Sequence, residues 1–278
     1  MENKTTELPK TTASKSAVLF GRKGISGSTL KLIAIITMLF DHTGAIVLER
    51  FLLQWQSGVD MNGIAVTASQ YQSLYVIYWV CRFVLGRIAF PIFCFLIVEG
   101  FVHTRNVKKY AFRLFLFALL SEIPFDLGFS GMLVDVTGQN VFFTLLFGLL
   151  TIAGMQYMEK KENISKIVRF FSQVIVLAAG MAAAYFLQTD YNMFGVLTVV
   201  LMYKLRYNRF LQSGAGCLEL ALMSSTEYGA FLAMIPLNFY NGKKGWNIKW
   251  LFYLFYPLHI LLLYLLACML GVAPLPVM

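Results

Sequence analysis

Apolar runs of about twenty residues recur along this chain, and each is long enough to cross the hydrocarbon core of a bilayer as an α-helix. Hydrophobic residues make up 58% of the 278 positions and charged residues only 13%, whereas soluble domains carry about 25% charged residues. The sequence therefore predicts an all-α, polytopic helical bundle in the plasma or inner membrane, surrounded by membrane lipid. The cysteines lie far apart within apolar runs and are predicted to be buried small residues rather than a disulfide or metal site: Cys81, Cys94, Cys217 and Cys268.

Hydropathy predicts nine spans joined by short polar connections. They cover residues 30–53, 76–103, 108–128, 140–158, 167–188, 191–206, 209–223, 226–240 and 250–270. The three spans within 191–240 are short, so they either cross with little tilt or are re-entrant. Residues 1–29 are polar and lack the compact apolar segment of a signal peptide, which predicts a disordered cytoplasmic tail.

Lysine and arginine are distributed asymmetrically between the connections. Of the 23 basic residues, 20 fall in the N-terminal region up to Lys31 or in every second connection. The positive-inside rule then places the N-terminus in the cytoplasm and the C-terminus outside. The net charge of +9 follows from this topology and predicts no nucleic-acid partner, although the basic inner face would attract anionic lipid or an anionic cytosolic cofactor.

Ionisable residues inside the first span need a physical reason, because a charge at a helix centre costs about 2.5–3.5 kcal/mol on insertion scales. At roughly 100° per residue, Lys31, His42 and Glu49 share one face of the helix, and His42 lies about 16 Å deeper than Lys31. This stripe favours a functional role for His42. Asp41 points about 100° away, so two interpretations stay open for it: an internal ion pair that fixes helix packing, or participation in a site.

Later spans carry further ionisable residues. Arg87 and Glu99 lie in the second span, and His103 is four residues after Glu99 on the same face, either as a helix-end pair or as part of a site. Glu122 lies inside the third span, with Asp126 near its outer end. In the last span His259 lies at mid-membrane depth, where a packing role and a functional role are both open.

The absence of several sequence motifs limits the reactions that the chain is expected to catalyse. The chain has no GxxxxGK[ST] phosphate loop and no HExxH or Cys/His zinc motif, so ATP hydrolysis and a metal centre are not expected. The remaining His, Asp, Glu and Arg in an apolar interior suit general-base or nucleophilic group transfer. They also suit a proton-coupled transporter.

Several segments resemble the TraX family over about residues 30–270. These are "LKLIAIITMLFDHTGAI", "GRIAFPIFCFLIVEGFVHTRNVKKYAFRLFLFALLSEIPFDL", "QNVFFTLLFGLL", "DYNMFGVLTVVLMY" and "NGKKGWNIKWLFYLFYPLH". The family is named for a conjugation protein that acetylates the N-terminus of F-type pilin. It also resembles the wider transmembrane acyltransferases, including the acyltransferase type 3 membrane proteins, whose first helix carries an Arg, ten residues and then a His. Here Lys31 and His42 have that spacing, with Lys in place of Arg.

The resemblance implies that residues 30–278 form a single acyltransferase-like domain that moves an acetyl group from cytosolic acetyl-CoA. The acceptor would be an amine or hydroxyl of a peptide, pilin-like protein, glycan or small molecule at or beyond the outer face. His42 would be the base or take the acetyl group itself, Arg87 would stabilise the oxyanion, and Asp41 and Glu99 would complete the catalytic set. Expected cofactor contacts are Lys31, His103, Arg105, Lys108, Lys109 and Lys243. Expected acceptor contacts are Glu49, Glu122, Asp126 and His259.

Two other functions remain open from the sequence. In a proton-coupled transporter or exporter, His42, Asp41 and Glu99 would form a proton relay. In a non-catalytic component of an envelope or secretion complex, the chain would keep the scaffold and tolerate loss of His42. The enzyme predicts cleavage of the acetyl-CoA thioester, which neither alternative does.

Overall fold

The computed structural model describes residues 24–247 and 249–272, and within them the chain is helical without strands. Nine helical segments follow one another. They are α1 Gly27–Trp55, α2 Ala68–His103, α3 Val107–Phe129, α4 Val141–Glu159, α5 Lys166–Phe186, α6 Asn192–Lys204, α7 Arg209–Met223, α8 Ser225–Ala233 continued by Met234–Asn238, and α9 Lys249–Met269. Each predicted span coincides with one of these helices.

Five helices are long and apolar enough to cross a membrane by length and composition: α1, α2, α4, α5 and α9. Helix α3 is 23 residues long but more charged, and α6 and α7 have only 13 and 15 residues. The all-helical architecture, with several helices long and apolar enough to cross a membrane, is therefore confirmed, whereas nine full crossings remain a prediction.

Polar side chains set the helix starts. Helix α1 begins at Gly27 because the Ser26 hydroxyl accepts a hydrogen bond from the Thr29 N–H at 3.3 Å. Asn106, Asn140 and Asn208 cap α3, α4 and α7 in the same way. The predicted disordered tail lies outside the described residues, apart from residues 24–29.

Contacts between connections group the helix ends as the charge pattern predicts. Ile25 pairs with Tyr240, which joins two regions predicted to be cytoplasmic, and Gln139 pairs with Thr189, which joins two predicted to be outside. The positive-φ Gly271 at the end of α9 packs against Met61 in the first outer connection. The relative sides of these connections thus agree with the predicted topology, and the orientation of the bundle in the cell stays a prediction.

The core lies between α1, the second half of α2, α4, α6 and α9. Ten residues of Ala89–His103 are buried, whereas only Ala184 is buried in α5, which lies at the lipid-facing edge. The first part of α2, Ala68–Trp79, has no buried residue.

Three irregular turns interrupt α1 and α2 near the charged residues of these helices. Helix α1 contains a π-helical turn at Gly44–Leu48, directly after Asp41 and His42, and α2 contains one at Val80–Leu85 followed by a 3-10 turn at Gly86–Ile88. π-Helical turns occur frequently at functional sites. An extra residue per turn also rotates the rest of the helix, so Glu49 does not continue the face of His42.

Candidate functional site

A pair of buried histidines joins the first helix to the last. The side chains of His42 on α1 and His259 on α9 belong to residues only 7% and 4% exposed. Nδ1 of His42 lies 2.6 Å from Nε2 of His259. The ring planes differ by 6° and the ring centroids are 4.8 Å apart. Because the facing nitrogens are so much closer than the centroids, the rings meet edge to edge in nearly one plane, as an N–H···N hydrogen bond requires.

The hydrogen bonds assign the protons of this pair. Nδ1 of His259 lies 2.7 Å from the carbonyl oxygen of Phe255, one helical turn earlier. A carbonyl oxygen only accepts, so this Nδ1 carries hydrogen, and in the neutral ring Nε2 is then an acceptor. The Nδ1–H of His42 therefore donates to His259, and the lone pair of His42 resides on its Nε2.

Aromatic rings surround the pair. His42 is edge-on to Phe129 of α3 and to Tyr256 of α9, with ring centroids 5.4 and 5.8 Å away. Phe255 stacks on His259 at 4.5 Å. The pair therefore sits in an apolar environment in which its nitrogen atoms interact chiefly with each other and with the backbone.

A separate ion cluster holds Asp41. Its Oδ1 accepts hydrogen bonds from Arg82 at 2.6 Å and from Arg87 at 3.2 Å. Arg87 also donates to Glu227 at 3.0 Å, to the Tyr191 hydroxyl at 3.3 Å and to the Arg82 carbonyl at 2.9 Å. This ion cluster, Asp41, Arg82, Arg87, Glu227 and Tyr191, contains two cations and two anions. It ties α1 to α2 and α8. Because the cations and anions are equal in number, their charges compensate one another in the low-dielectric interior.

Asp41 and His42 therefore face different neighbours although they are adjacent in sequence. Asp41 meets α2, whereas His42 meets α9. Four of the five N–H groups of Arg87 already donate within the ion cluster, which leaves it little capacity to bind an oxyanion. The contacts favour the ion-pair interpretation of Asp41.

An unusual backbone turn positions Tyr191 for this cluster. Gln188, Tyr191 and Asn192 all have positive φ, at 50°, 59° and 48°. Such conformations cost energy for non-glycine residues and concentrate at functional sites. The turn stacks the Tyr191 ring on Phe90 at 3.6 Å and directs its hydroxyl to Arg87.

A cavity of about 480 Å³ opens at the predicted cytoplasmic end of the bundle. Its charged and polar lining includes Lys31, Glu99, His103, Arg113 and Lys244. Aromatic rings form much of the remaining lining: Phe93, Tyr110, Phe142, Tyr240, Phe252 and Tyr253. This volume is typical of small-molecule sites.

An aromatic layer separates the cavity from the histidine pair. We define this layer as Phe142, Tyr253 and Tyr256. Phe142 and Tyr253 line the cavity. The Phe142 ring lies 5.1 Å from Tyr256, which in turn contacts His42.

Lys31 and His42 both face α9, as their predicted common face requires. The ammonium of Lys31 lies 5.2 Å from the Phe252 ring centroid, and His42 contacts His259 two turns further along α9. Glu99 and His103 are brought together with Lys31 in the cavity rather than with His42. Glu99 is thus at the cofactor end of the expected site.

The other basic residues predicted to bind the cofactor are less central. Lys108 and Lys109 line an open surface depression beside Arg113. Arg105 and Lys243 are exposed and are not part of the cavity lining.

The predicted acceptor residues of α3 bond to the following connection. Glu122 accepts from the Asn140 N–H at 3.1 Å and from its side chain. Asp126 accepts from the Asp135 N–H at 2.9 Å. Bonds from the hydroxyl and N–H of Thr137 lower the pKa of Asp135. These contacts order the outer connection above the histidine pair.

The sequence did not identify five residues of the ion cluster and the cavity as site residues: Arg82, Tyr191, Glu227, Arg113 and Lys244. One signal was present, since an acidic residue such as Glu227 inside a predicted span requires a basic partner. No local spacing identifies that partner.

Gly86 provides a direct test of the ion cluster. A Cβ at this position would lie 2.6–2.8 Å from the Asp41 carboxylate, so we expect Gly86→Ala to lower stability by about 1–3 kcal/mol through overpacking. The matched control is Gly138→Ala, because nothing lies within 4 Å of a Cβ there. Thermal unfolding in detergent measures both, and equal melting temperatures would contradict the tight approach of α1 and α2.

Fold and site together define an all-helical protein with five candidate membrane-spanning helices and an internal histidine pair near a cavity at the predicted cytoplasmic end. The chain belongs to the TraX family, because the family profile described as TraX protein matches residues 26–267. It is similar to the "Probable fimbrial assembly protein FimC, serogroup H1" of Dichelobacter nodosus. The identity is 30% over 264 residues, covering 86% of this chain and 94% of that protein. No solved structure matches the chain significantly. The family resemblance seen in the sequence is confirmed.

Proposed function

We propose that this protein is a membrane acetyltransferase that transfers an acetyl group from cytosolic acetyl-CoA to a pilin-like protein. The observation that carries the proposal is the cavity with basic residues at its mouth, separated only by the aromatic layer from a histidine with an available Nε2. Membership of the TraX family and the fimbrial assembly name of the relative support a pilin-associated role.

The mouth of the cavity suits the phosphates of CoA. Lys31, Arg113 and Lys244 provide positive charge there, and cationic clefts attract polyanionic ligands. Aromatic rings also line the cavity, which suits the uncharged acetyl-pantetheine arm. In the proposed complex the thioester would point towards Phe142 and Tyr253, the residues of the aromatic layer that line the cavity.

His42 acts as a general base in the proposed reaction. The acceptor nitrogen or oxygen attacks the thioester carbonyl carbon, so a new C–N or C–O bond forms and the C–S bond breaks. Nε2 of His42 removes the proton from the attacking atom and delivers it to the departing sulfur. The products are the acetylated acceptor and the CoA thiol, and His42 returns to its starting state.

Cofactor binding should depend on the cations at the cavity mouth. We expect Arg113→Gln and Lys244→Gln each to raise the Kd for CoA about tenfold at low salt, because each removes a charge-assisted contact. Lys31→Ala should weaken binding more than Lys31→Arg. Isothermal titration of purified protein with CoA measures these changes.

The matched control is Lys166→Gln, an exposed lysine outside the cavity lining. It should leave the Kd unchanged, and raising the salt concentration should weaken binding to wild type more than to the cavity variants. If all the cavity variants bind CoA like wild type at low salt, the proposed cofactor entrance is wrong.

The transporter alternative makes a different forecast. A proton-coupled transporter moves its substrate without consuming acetyl-CoA, whereas the enzyme converts acetyl-CoA to CoA when an acceptor is present. Chromatography of the nucleotide after incubation with a membrane fraction distinguishes them. Acetyl-CoA that stays intact while a substrate moves with the pH gradient would overturn the enzyme proposal.

A further inference from the structure

We infer that His259 is a positioning residue, which holds His42 in the tautomer with its lone pair on Nε2. The effect of this tautomer on catalysis rests on the proposed function, whereas the assignment of the tautomer does not. The chain of hydrogen bonds runs from the His42 Nδ1–H to the His259 Nε2, and from the His259 Nδ1–H to the Phe255 carbonyl.

The backbone of α9 anchors this chain. Residue 255 precedes residue 259 by one helical turn, so its carbonyl lies on the same face as the His259 ring. The Phe255 ring also stacks on His259 with the planes 11° apart. His259 is therefore fixed both in orientation and in protonation, since a carbonyl partner permits only an N–H at Nδ1.

Among the residues that the structure describes, no carboxylate takes this orienting role for His42. The adjacent carboxylate, Asp41, accepts hydrogen bonds from Arg82 and Arg87 on another face of α1. In a Ser-His-Asp triad an aspartate fixes the tautomer of the catalytic histidine, and loss of that aspartate acts through the wrong tautomer. Here the imidazole of His259 occupies the equivalent place.

The histidine pair can also stabilise the proton that His42 takes from the acceptor during acetyl transfer. When Nε2 of His42 takes the proton of the acceptor, the ring becomes positively charged. The 2.6 Å bond allows His259 to share that charge, and the Phe255 carbonyl accepts from the far side of His259. Return of the proton from His42 to the thiolate of CoA restores the neutral pair.

Nitrogen NMR tests the tautomer directly. The chain contains only three histidines, so ¹⁵N-histidine labelling of the full chain in nanodiscs gives three rings, and substitution of each histidine in turn by Gln assigns them. We expect His42 to have a protonated Nδ1 and an unprotonated Nε2. In His259→Leu this preference should be lost, and the Nε2–H tautomer of His42 should appear. A wild-type His42 already protonated at Nε2, or a tautomer unchanged in His259→Leu, would overturn the proposal.

Steady-state kinetics distinguishes a positioning role of His259 from a packing role. His259→Leu should lower kcat about 100-fold with little change in KM for acetyl-CoA, as loss of an orienting partner does. His259→Gln can still accept the His42 Nδ1–H through its amide oxygen, so it should retain at least tenfold more activity than His259→Leu. Equal kcat losses in two variants of equal thermal stability would overturn the positioning role.

Different results would refute the proposed acetyltransferase function and the positioning role of His259. If the wild-type protein transfers no acetyl group but His42 shows the expected tautomer and its dependence on His259, only the proposed function is wrong. If transfer occurs but the tautomer does not depend on His259, only the positioning role is wrong.

Discussion

His42→Gln should abolish acetyl transfer in a protein that remains folded and still binds CoA. Glutamine keeps hydrogen-bonding groups close to those of the imidazole but has no basicity at neutral pH. Loss of a general base lowers the rate by at least about 100-fold. His42 contacts Tyr256, which packs on the cavity-lining Phe142, and the bond of its Nδ1 to His259 leaves the lone pair on Nε2. Steady-state turnover at saturating acetyl-CoA measures the effect.

The control for this variant is His103→Gln, another His-to-Gln change in the same chain. His103 lines the cavity mouth, so its loss should alter the Kd for CoA rather than the turnover at saturation. Melting temperatures are compared in parallel, because removing one member of a buried pair can itself destabilise a protein. Near-normal turnover in a stable His42→Gln variant would contradict the assignment and move it to His259 or His103.

Arg87→Met should destabilise the fold by about 3–5 kcal/mol, the largest stability effect that we expect from a single change. It leaves Glu227 without its arginine and removes one of the two cations that neutralise Asp41. Arg87→Lys should be intermediate, because a single ammonium cannot reach both carboxylates as the planar guanidinium does. Unfolding titrations in mixed detergent micelles measure the loss.

Two comparisons show whether the cause is uncompensated charge. Arg105→Met removes an exposed arginine and should change stability by no more than about 0.5 kcal/mol. Adding Glu227→Gln to Arg87→Met should recover part of the loss, since it removes the unpaired buried carboxylate. If the double variant is no more stable than Arg87→Met alone, the ion cluster does not stabilise the bundle by charge compensation.

Much of the helical architecture follows from the sequence. Each predicted span overlaps one observed helix, because long apolar runs leave an α-helix as the favourable structure in lipid. The common face of Lys31 and His42 was also predictable, since α1 is regular between them. The face of α1 on which Glu49 lies could not be predicted, because the π-helical turn at Gly44–Leu48 rotates the rest of the helix.

The pairings within the site could not be predicted from periodicity. His42 and His259 are 217 positions apart, and Arg87 and Glu227 are 140 apart. The spacing of residues defines the face of one helix but does not say which helix packs against it. That choice depends on side-chain packing across the whole bundle, such as the close approach of Gly86 to Asp41. A charge in a span predicts that a partner exists without identifying it.

The most direct test of the account follows an isotopic label from acetyl-CoA to a protein. Purified protein in nanodiscs is incubated with ¹³C-acetyl-CoA and the membrane fraction of cells that lack it, and the membrane proteins are analysed by mass spectrometry. We expect a labelled acetyl group on a pilin-like protein, release of an equal amount of CoA, and neither product with His42→Gln. Absence of label from every membrane protein, or equal labelling by wild type and a folded His42→Gln variant, would contradict it.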